Sequence, residues 1–294
     1  MHRFQGTGVA VVTPFTVHKE LDKDGLRTII QHLIEGGVQY LVALGTTGEP
    51  ATLSAREQEE VLSIFQEESE GKIRWVVGIG GNNTAGLIQK TMQWISRYQP
   101  DGILSVSPYY NKPTQKGIFE HYAAIADATD LPIILYNVPG RTGSNMTAET
   151  TLRLAEDKKN IVAMKEASGD LGQIMEIIHH APEGFVVVSG DDPLTLPMIA
   201  VGAKGLISVI GNAFPALTQQ LVQYALAEKM TESRVIQQKL WRMMHLIFEE
   251  GNPAGVKAIL EANLGISGEV RLPLVKVSPS LKERIKDEIT RISG

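Results

Sequence analysis

The run "IVAMKEASG", residues 161–169, puts one lysine, Lys165, directly after four apolar residues. An ammonium at such a position loses solvation, and that favours the neutral amine. A neutral amine attacks ketones and forms a Schiff base, an electron sink for carbanion chemistry. The competing reading is a lysine ion-paired at the mouth of a strand, with Glu166 as its nearest partner. Position alone leaves the two readings level. The neighbours must decide between them.

Tyr136 closes the preceding apolar run, "PIILYN", so it should sit beside Lys165, where a phenol can relay protons. Taken singly it also fits a core aromatic. Thr46 and Thr47 lie in "GTTGE", where flanking glycines let the backbone approach a ligand closely. Two hydroxyls and adjacent N–H groups suit a carboxylate, although a tight turn with two incidental threonines fits as well. Arg141 in "PGRTG" offers a fork for a carboxylate, or is a solvated loop residue. Tyr109 and Tyr110 in "SPYYNKP" belong either to a site or to a subunit contact. Asp191 and Asp192 in "SGDD" are expected to cap a helix starting near Pro193.

The chain lacks other chemistries. It has no cysteine, which excludes disulfides, thiolate catalysis and thiolate metal sites. Its seven histidines form no His-x-x-x-His pattern, and the one close pair, His179–His180, falls late in a helical stretch. A metal-dependent aldolase is disfavoured on that pattern. No glycine-rich nucleotide loop is present. A net charge of -5 without a basic stripe gives no reason to expect nucleic acid. The apolar run near the N-terminus is short and broken by Pro14, and no run approaches a membrane span, so we expect a cytoplasmic protein.

The elements that must position these residues are eight short apolar runs, near 8–15, 40–48, 74–81, 102–110, 132–140, 161–169, 185–192 and 205–212. Each is almost continuously apolar, as expected of strands covered on both faces. Helical patterns lie between them. Leu26, Ile29, Ile30, Leu33 and Ile34 follow i, i+3, i+4 spacing before Gly36 and Gly37. Ser54 and Glu57 form a capping-box pattern. Eight roughly equal βα units predict an α/β fold, a closed (β/α)8 TIM barrel, whose site forms at the C-terminal strand ends. No Gly-x-Gly-x-x-Gly turn follows the first strand, which counts against an open doubly wound sheet. We place the catalytic barrel in residues 1–228 and a C-terminal helical extension in residues 229–294.

"GTTGE", "SPYYNKP", "YNVPGRTG", "MKEASGD" and "SGDD", taken in order and spacing, resemble the dihydrodipicolinate synthase / N-acetylneuraminate lyase family. The likeness runs from "GVAVVTPF" to "NPAGVKAIL" and "RLPL", nearly the whole chain. The two threonines of "GTTGE" and the arginine after the tyrosine strand are similar to the synthase branch. The alternative branch would be a pyruvate-dependent aldolase of sugar acids, of the N-acetylneuraminate lyase or 2-keto-3-deoxygluconate aldolase type. For the synthase branch the resemblance implies condensation of pyruvate with L-aspartate 4-semialdehyde in lysine and diaminopimelate biosynthesis. It implies that Lys165 forms the Schiff base with pyruvate. Tyr136, Thr46 and Tyr110 would relay protons, with Tyr110 reaching in from a neighbouring subunit. Thr47 would hold the pyruvate carboxylate, Arg141 that of the semialdehyde, and the Gly190 and Ile207 backbones would line the pyruvate site. No organic cofactor is implied, and the assembly would be a homotetramer, a dimer of tight dimers. Some members are inhibited by lysine. At the matching positions Pro50, Ala55, Gln58, Asn82, Gly86 and Tyr109, only Asn82 and Tyr109 agree with the sensitive type, which implies weak or absent feedback.

Overall fold

The computed structural model describes residues 3–294. Eight parallel strands close on themselves in sequence order: β1 (Gly6–Ala10), β2 (Tyr40–Ala43), β3 (Arg74–Ile79), β4 (Gly102–Val106), β5 (Ile133–Asn137), β6 (Ile161–Glu166), β7 (Val186–Ser189) and β8 (Gly205–Ser208). β1 pairs with both β2 and β8, so the sheet has no edge.

The helices between strands are α1 (Lys23–Glu35), α2 (Ala55–Ser69), α3 (Thr84–Tyr98), α4 (Gln115–Asp127), the single turn α5 (Pro139–Thr142), α6 (Ala148–Asp157), α7 (Leu171–His180) and α8 (Thr195–Ala200). α9 (Pro215–Leu226) closes the eighth unit. Three more helices follow: α10 (Met230–Glu249), α11 (Ala254–Leu264) and α12 (Pro279–Ser293). Their starts follow local chemistry. Asp22 accepts from Gly25 N at α1, and Asn83 accepts from Gly86 N at α3. Ser54 and Glu57 make the reciprocal capping box of α2. The expected cap by Asp191–Asp192 does not form: α8 begins at Thr195 with no side-chain cap. Asp192 instead accepts from Ser208 Oγ at 2.5 Å and from the Val209 and Ile210 N–H groups at 3.0 and 3.1 Å. It is therefore spent on the turn after β8, whose donors it satisfies in a fully buried position.

Strand side chains divide between two apolar layers. One faces the helices and holds most of the core, including Ile133, Leu135, Met164 and Leu206. The other fills the barrel, with Phe4, Ala10, Tyr40, Val42, Val76, Leu104, Ile134, Tyr136, Ala163, Val188 and Ile207. Phe4 meets Tyr40 edge to face at 5.7 Å near the strand starts. Gly8 makes room for this plug, because a Cβ there would lie 2.3 Å from the Tyr40 ring. Asn212 ties the last turn to the first strand, accepting from Val12 N and donating to Ala10 O. The barrel interior is thus packed at the strand starts, and the site is expected at the C-terminal ends of its strands.

Candidate active site

Lys165 and Tyr136 occupy matched places on adjacent strands, Tyr136 opposite Lys165 and Asn137 opposite Glu166. The Lys165 amine lies over the Tyr136 ring, 4.2 Å from its centroid, and the lysine is 5% exposed. Glu166 points the other way. It accepts from Asn137 Nδ2, Ser168 N and Gln173 Nε2, with burial raising its carboxyl. No ion pair joins it to Lys165 among the described residues. Gly190, just beyond β7, closes against the stem of Lys165: a Cβ built there would meet Lys165 Cε at 2.8 Å. Ile207 is fully buried in the barrel layer that contains Tyr136.

Thr46, Tyr136 and Arg141 line one cavity of about 680 Å³ at the mouth. Lys165, Thr47 and Ile207 are buried and do not line it, and neither does the half-buried Gly190. Arg141, on α5, is exposed and makes no ion pair among the described residues. The cavity runs on between α2 and α3, past Gln58, Asn82, Gly86 and Tyr109. There the Lys90 amine donates to Gln58 Oε1 at 2.6 Å and lies over Trp94, and burial lowers its pKa. Tyr110 is elsewhere. It is 89% exposed, on a loop, with φ of 58°. The left-handed region is uncommon for a bulky residue, so the loop presents this ring outward against local preference.

The "GTTGE" turn is held by residues of the C-terminal extension that its own sequence does not reveal. Thr47 is buried, and its Oγ1 accepts from Asn252 Nδ2 at 3.0 Å. Glu49, in a left-handed conformation, accepts from Lys257 Nζ at 2.5 Å and Arg271 N at 3.2 Å. Lys257 is 1% exposed. Burial pushes its pKa down to about 8, against the attraction of Glu49. Lys257 and Arg271 both lie over the Phe15 ring, and the Arg271 guanidinium also binds Thr52 O and Glu57. One signal for Lys257 was available. In "AGVKAIL" the lysine has apolar residues on every side, and a charge buried in such a helix needs a partner. No group of three or more His, Asp or Glu that could hold a metal ion occurs among the described residues. No helix among the described residues is long and apolar enough to cross a membrane.

The family model of the Dihydrodipicolinate synthetase family matches residues 3–292. A protein of Flavobacterium psychrophilum named 4-hydroxy-tetrahydrodipicolinate synthase is 49% identical over 288 residues, 97% of each chain. The crystal structure of the dihydrodipicolinate synthase of Thermotoga maritima superposes with a TM-score of 0.96 at 39% identity, covering 99% of both chains. A structure described as the first monomeric dihydrodipicolinate synthase variant gives a TM-score of 0.96 at 38% identity, over 99% of this chain and 97% of that one.

Proposed function

The chain belongs to the dihydrodipicolinate synthetase family and is a lyase that condenses pyruvate with L-aspartate 4-semialdehyde in lysine biosynthesis; we propose that Lys165 carries the pyruvate as a Schiff base. The observation that carries this reading is the Lys165 amine, turned into the barrel against Tyr136 while Glu166 is turned out and satisfied elsewhere. In the proposed cycle the amine adds to the pyruvate ketone and water leaves. The imine acidifies the adjacent methyl group, which loses a proton to give an enamine. The enamine attacks the aldehyde carbon of the semialdehyde. The semialdehyde's own amine then attacks the imine carbon, closes the ring and expels Lys165. Pyruvate and semialdehyde thus give 4-hydroxy-tetrahydrodipicolinate and one water.

Tyr136 and Thr46 move the protons of these steps, with Tyr110 supplied by a second subunit. Tyr110's full exposure and outward loop fit that role. Thr47 takes the pyruvate carboxylate, and the Gly190 and Ile207 backbones shape the pyruvate pocket. Arg141 takes the semialdehyde carboxylate, its unpaired guanidinium facing the cavity. A sugar-acid substrate would call for hydroxyl-binding groups there, and that reading is not favoured. Residues 1–228 form the catalytic barrel and 229–294 its helical extension. We place the protein in the cytoplasm as a homotetramer, a dimer of tight dimers, acting without an organic cofactor. Pyruvate and borohydride should label Lys165 irreversibly, as read by peptide mass mapping. The same sample should turn over aspartate semialdehyde far faster than sugar aldehydes, and sediment as a tetramer. A protein that leaves Lys165 unlabelled under these conditions refutes the reading.

A further inference from the structure

We propose that Asn252, which lies outside the barrel between α10 and α11, is a positioning residue that sets the direction of the Thr47 hydroxyl proton. This rests on the reading that Thr47 receives the pyruvate carboxylate. A threonine hydroxyl has one proton and two lone pairs. Asn252 Nδ2 donates to Thr47 Oγ1 at 3.0 Å, so one lone pair is occupied and the proton cannot point toward the amide. It is the only hydrogen bond of the Thr47 hydroxyl among the described residues. The proton is left to be donated to an acceptor on the other side, which is what a carboxylate requires. An acceptor in place of the amide would draw the proton away and turn lone pairs toward the anion.

Two features separate this from ordinary packing. Asn252 is 7% exposed, yet its buried Oδ1 has no hydrogen-bond partner among the described residues, and the residue lines the mouth cavity. A side chain kept only to join two segments would not leave a buried acceptor unpaired, because that costs free energy. The turn it addresses is also held rigid. Glu49 is gripped by Lys257 and by Arg271 N, and Thr13 Oγ1 donates to Gly48 O at 2.7 Å. A hydroxyl on a fixed turn has only its torsion left to set, and Asn252 sets it.

The test uses the full chain with Thr47→Val, Asn252→Ala, Asn252→Asp and the Thr47→Val/Asn252→Ala double variant. Steady-state kinetics give KM for each substrate and kcat. Thr47→Val should raise the pyruvate KM by about 10-fold, the scale of one hydrogen bond to a charged group. Asn252→Ala should raise it several-fold with the semialdehyde KM unchanged. In the Thr47→Val background it should add nothing, because the proton it directs is gone. Asn252→Asp, equal in shape but unable to donate when ionised, should exceed Asn252→Ala and stands in if the alanine variant folds poorly. If Asn252→Ala costs the same factor with and without Thr47, or moves both substrates' KM alike, the inference is overturned. If Thr47→Val itself leaves the pyruvate KM unchanged, the carboxylate reading of Thr47 falls and takes the inference with it.

Discussion

Replacing Gly190 by alanine adds one methyl group against Lys165, and the geometry says where it goes. An ideal Cβ lies 2.8 Å from Lys165 Cε, 3.0 Å from Lys165 Cγ and 2.8 Å from Ala167 Cβ. Carbon atoms settle about 3.5–4.0 Å apart, so the neighbours must retreat by roughly 0.5–1 Å. Gly190 is not in the left-handed region, so backbone strain does not enter. Ala167 has no torsion to turn, whereas Lys165 has four, so the lysine gives way. Its amine leaves the place it holds over Tyr136, 4.2 Å from the ring centroid. A displacement of about 1 Å at a reacting group costs on the order of 100-fold in rate, or about 2.7 kcal/mol of barrier. Overpacking should also cost about 1–3 kcal/mol of stability, which the fold can absorb. The assay is the rate of pyruvate–borohydride labelling of Lys165, with kcat/KM measured alongside and Tm as control. Both rates should fall together by about two orders of magnitude in a folded protein. If the folded variant labels within about threefold of the parent, the packing of Gly190 on Lys165 does not position the amine and the reasoning fails.

Acid should weaken the tie between α2 and the C-terminal extension. Arg271 holds the Glu57 carboxyl down to about 2, and the pair is 17% and 22% exposed. A folded-state value below the unfolded one stabilises above the unfolded pKa of about 4.5, and the gain is lost as pH falls through that value toward 2. The full shift corresponds to about 3 kcal/mol, and screening at this partly exposed pair reduces it to about 1–2. Urea midpoints of wild type and Glu57→Gln should therefore converge as pH drops from about 5 to 2.5; a gap that stays constant refutes the assignment. Lysine should be a poor inhibitor. Glu49 is the one carboxylate in the cavity wall among the described residues, and Lys257 already holds it, while the Lys90 amine opposes a second ammonium. Initial rates should be unchanged at millimolar lysine, and half-inhibition at micromolar lysine would contradict this.

The fold was legible because the strands lie in eight almost continuously apolar runs and amphipathic helical patterns lie between them. The spacing of Leu26, Ile29, Ile30 and Leu33 marked α1, and Ser54 with Glu57 marked the start of α2 by local hydrogen bonding alone. Lys165, Tyr136 and Arg141 could be named because strand order fixes which mouths are adjacent. The contacts of "GTTGE" could not be named. Asn252 and Lys257 lie 205 and 208 residues from Thr47 and Glu49, and no local pattern specifies a partner at that distance. The role of Asp192 was hidden for the same reason. Its neighbours in sequence suggest a cap, but the donors that claim it come from the turn after β8.

Whether Lys165 or Glu166 faces the barrel is decided by a single residue of register. Successive strand side chains point to opposite faces, so "KE" must send one charge in and the other out. Ile161 pairs with Ile133 and belongs to the helix-facing layer. Regular alternation from there would put Ala163 and Lys165 outward as well, and would set Tyr136 opposite Met164. Between Ile133 and Ile134 the register instead slips by one, so that Ile134 meets Ala163 and Val162 is the extra residue. The slip reverses the parity of everything after it. Ala163 turns into the barrel, Lys165 comes opposite Tyr136, and Met164 takes the helix-facing place that a charge could not fill. Glu166 is then delivered to Asn137, Ser168 and Gln173, which satisfy it. The composition of the run is compatible with either parity. The neutralising partners on the outer side exist only for the carboxylate, and so the bulge and the Asn137–Gln173 donors together commit the amine to the site.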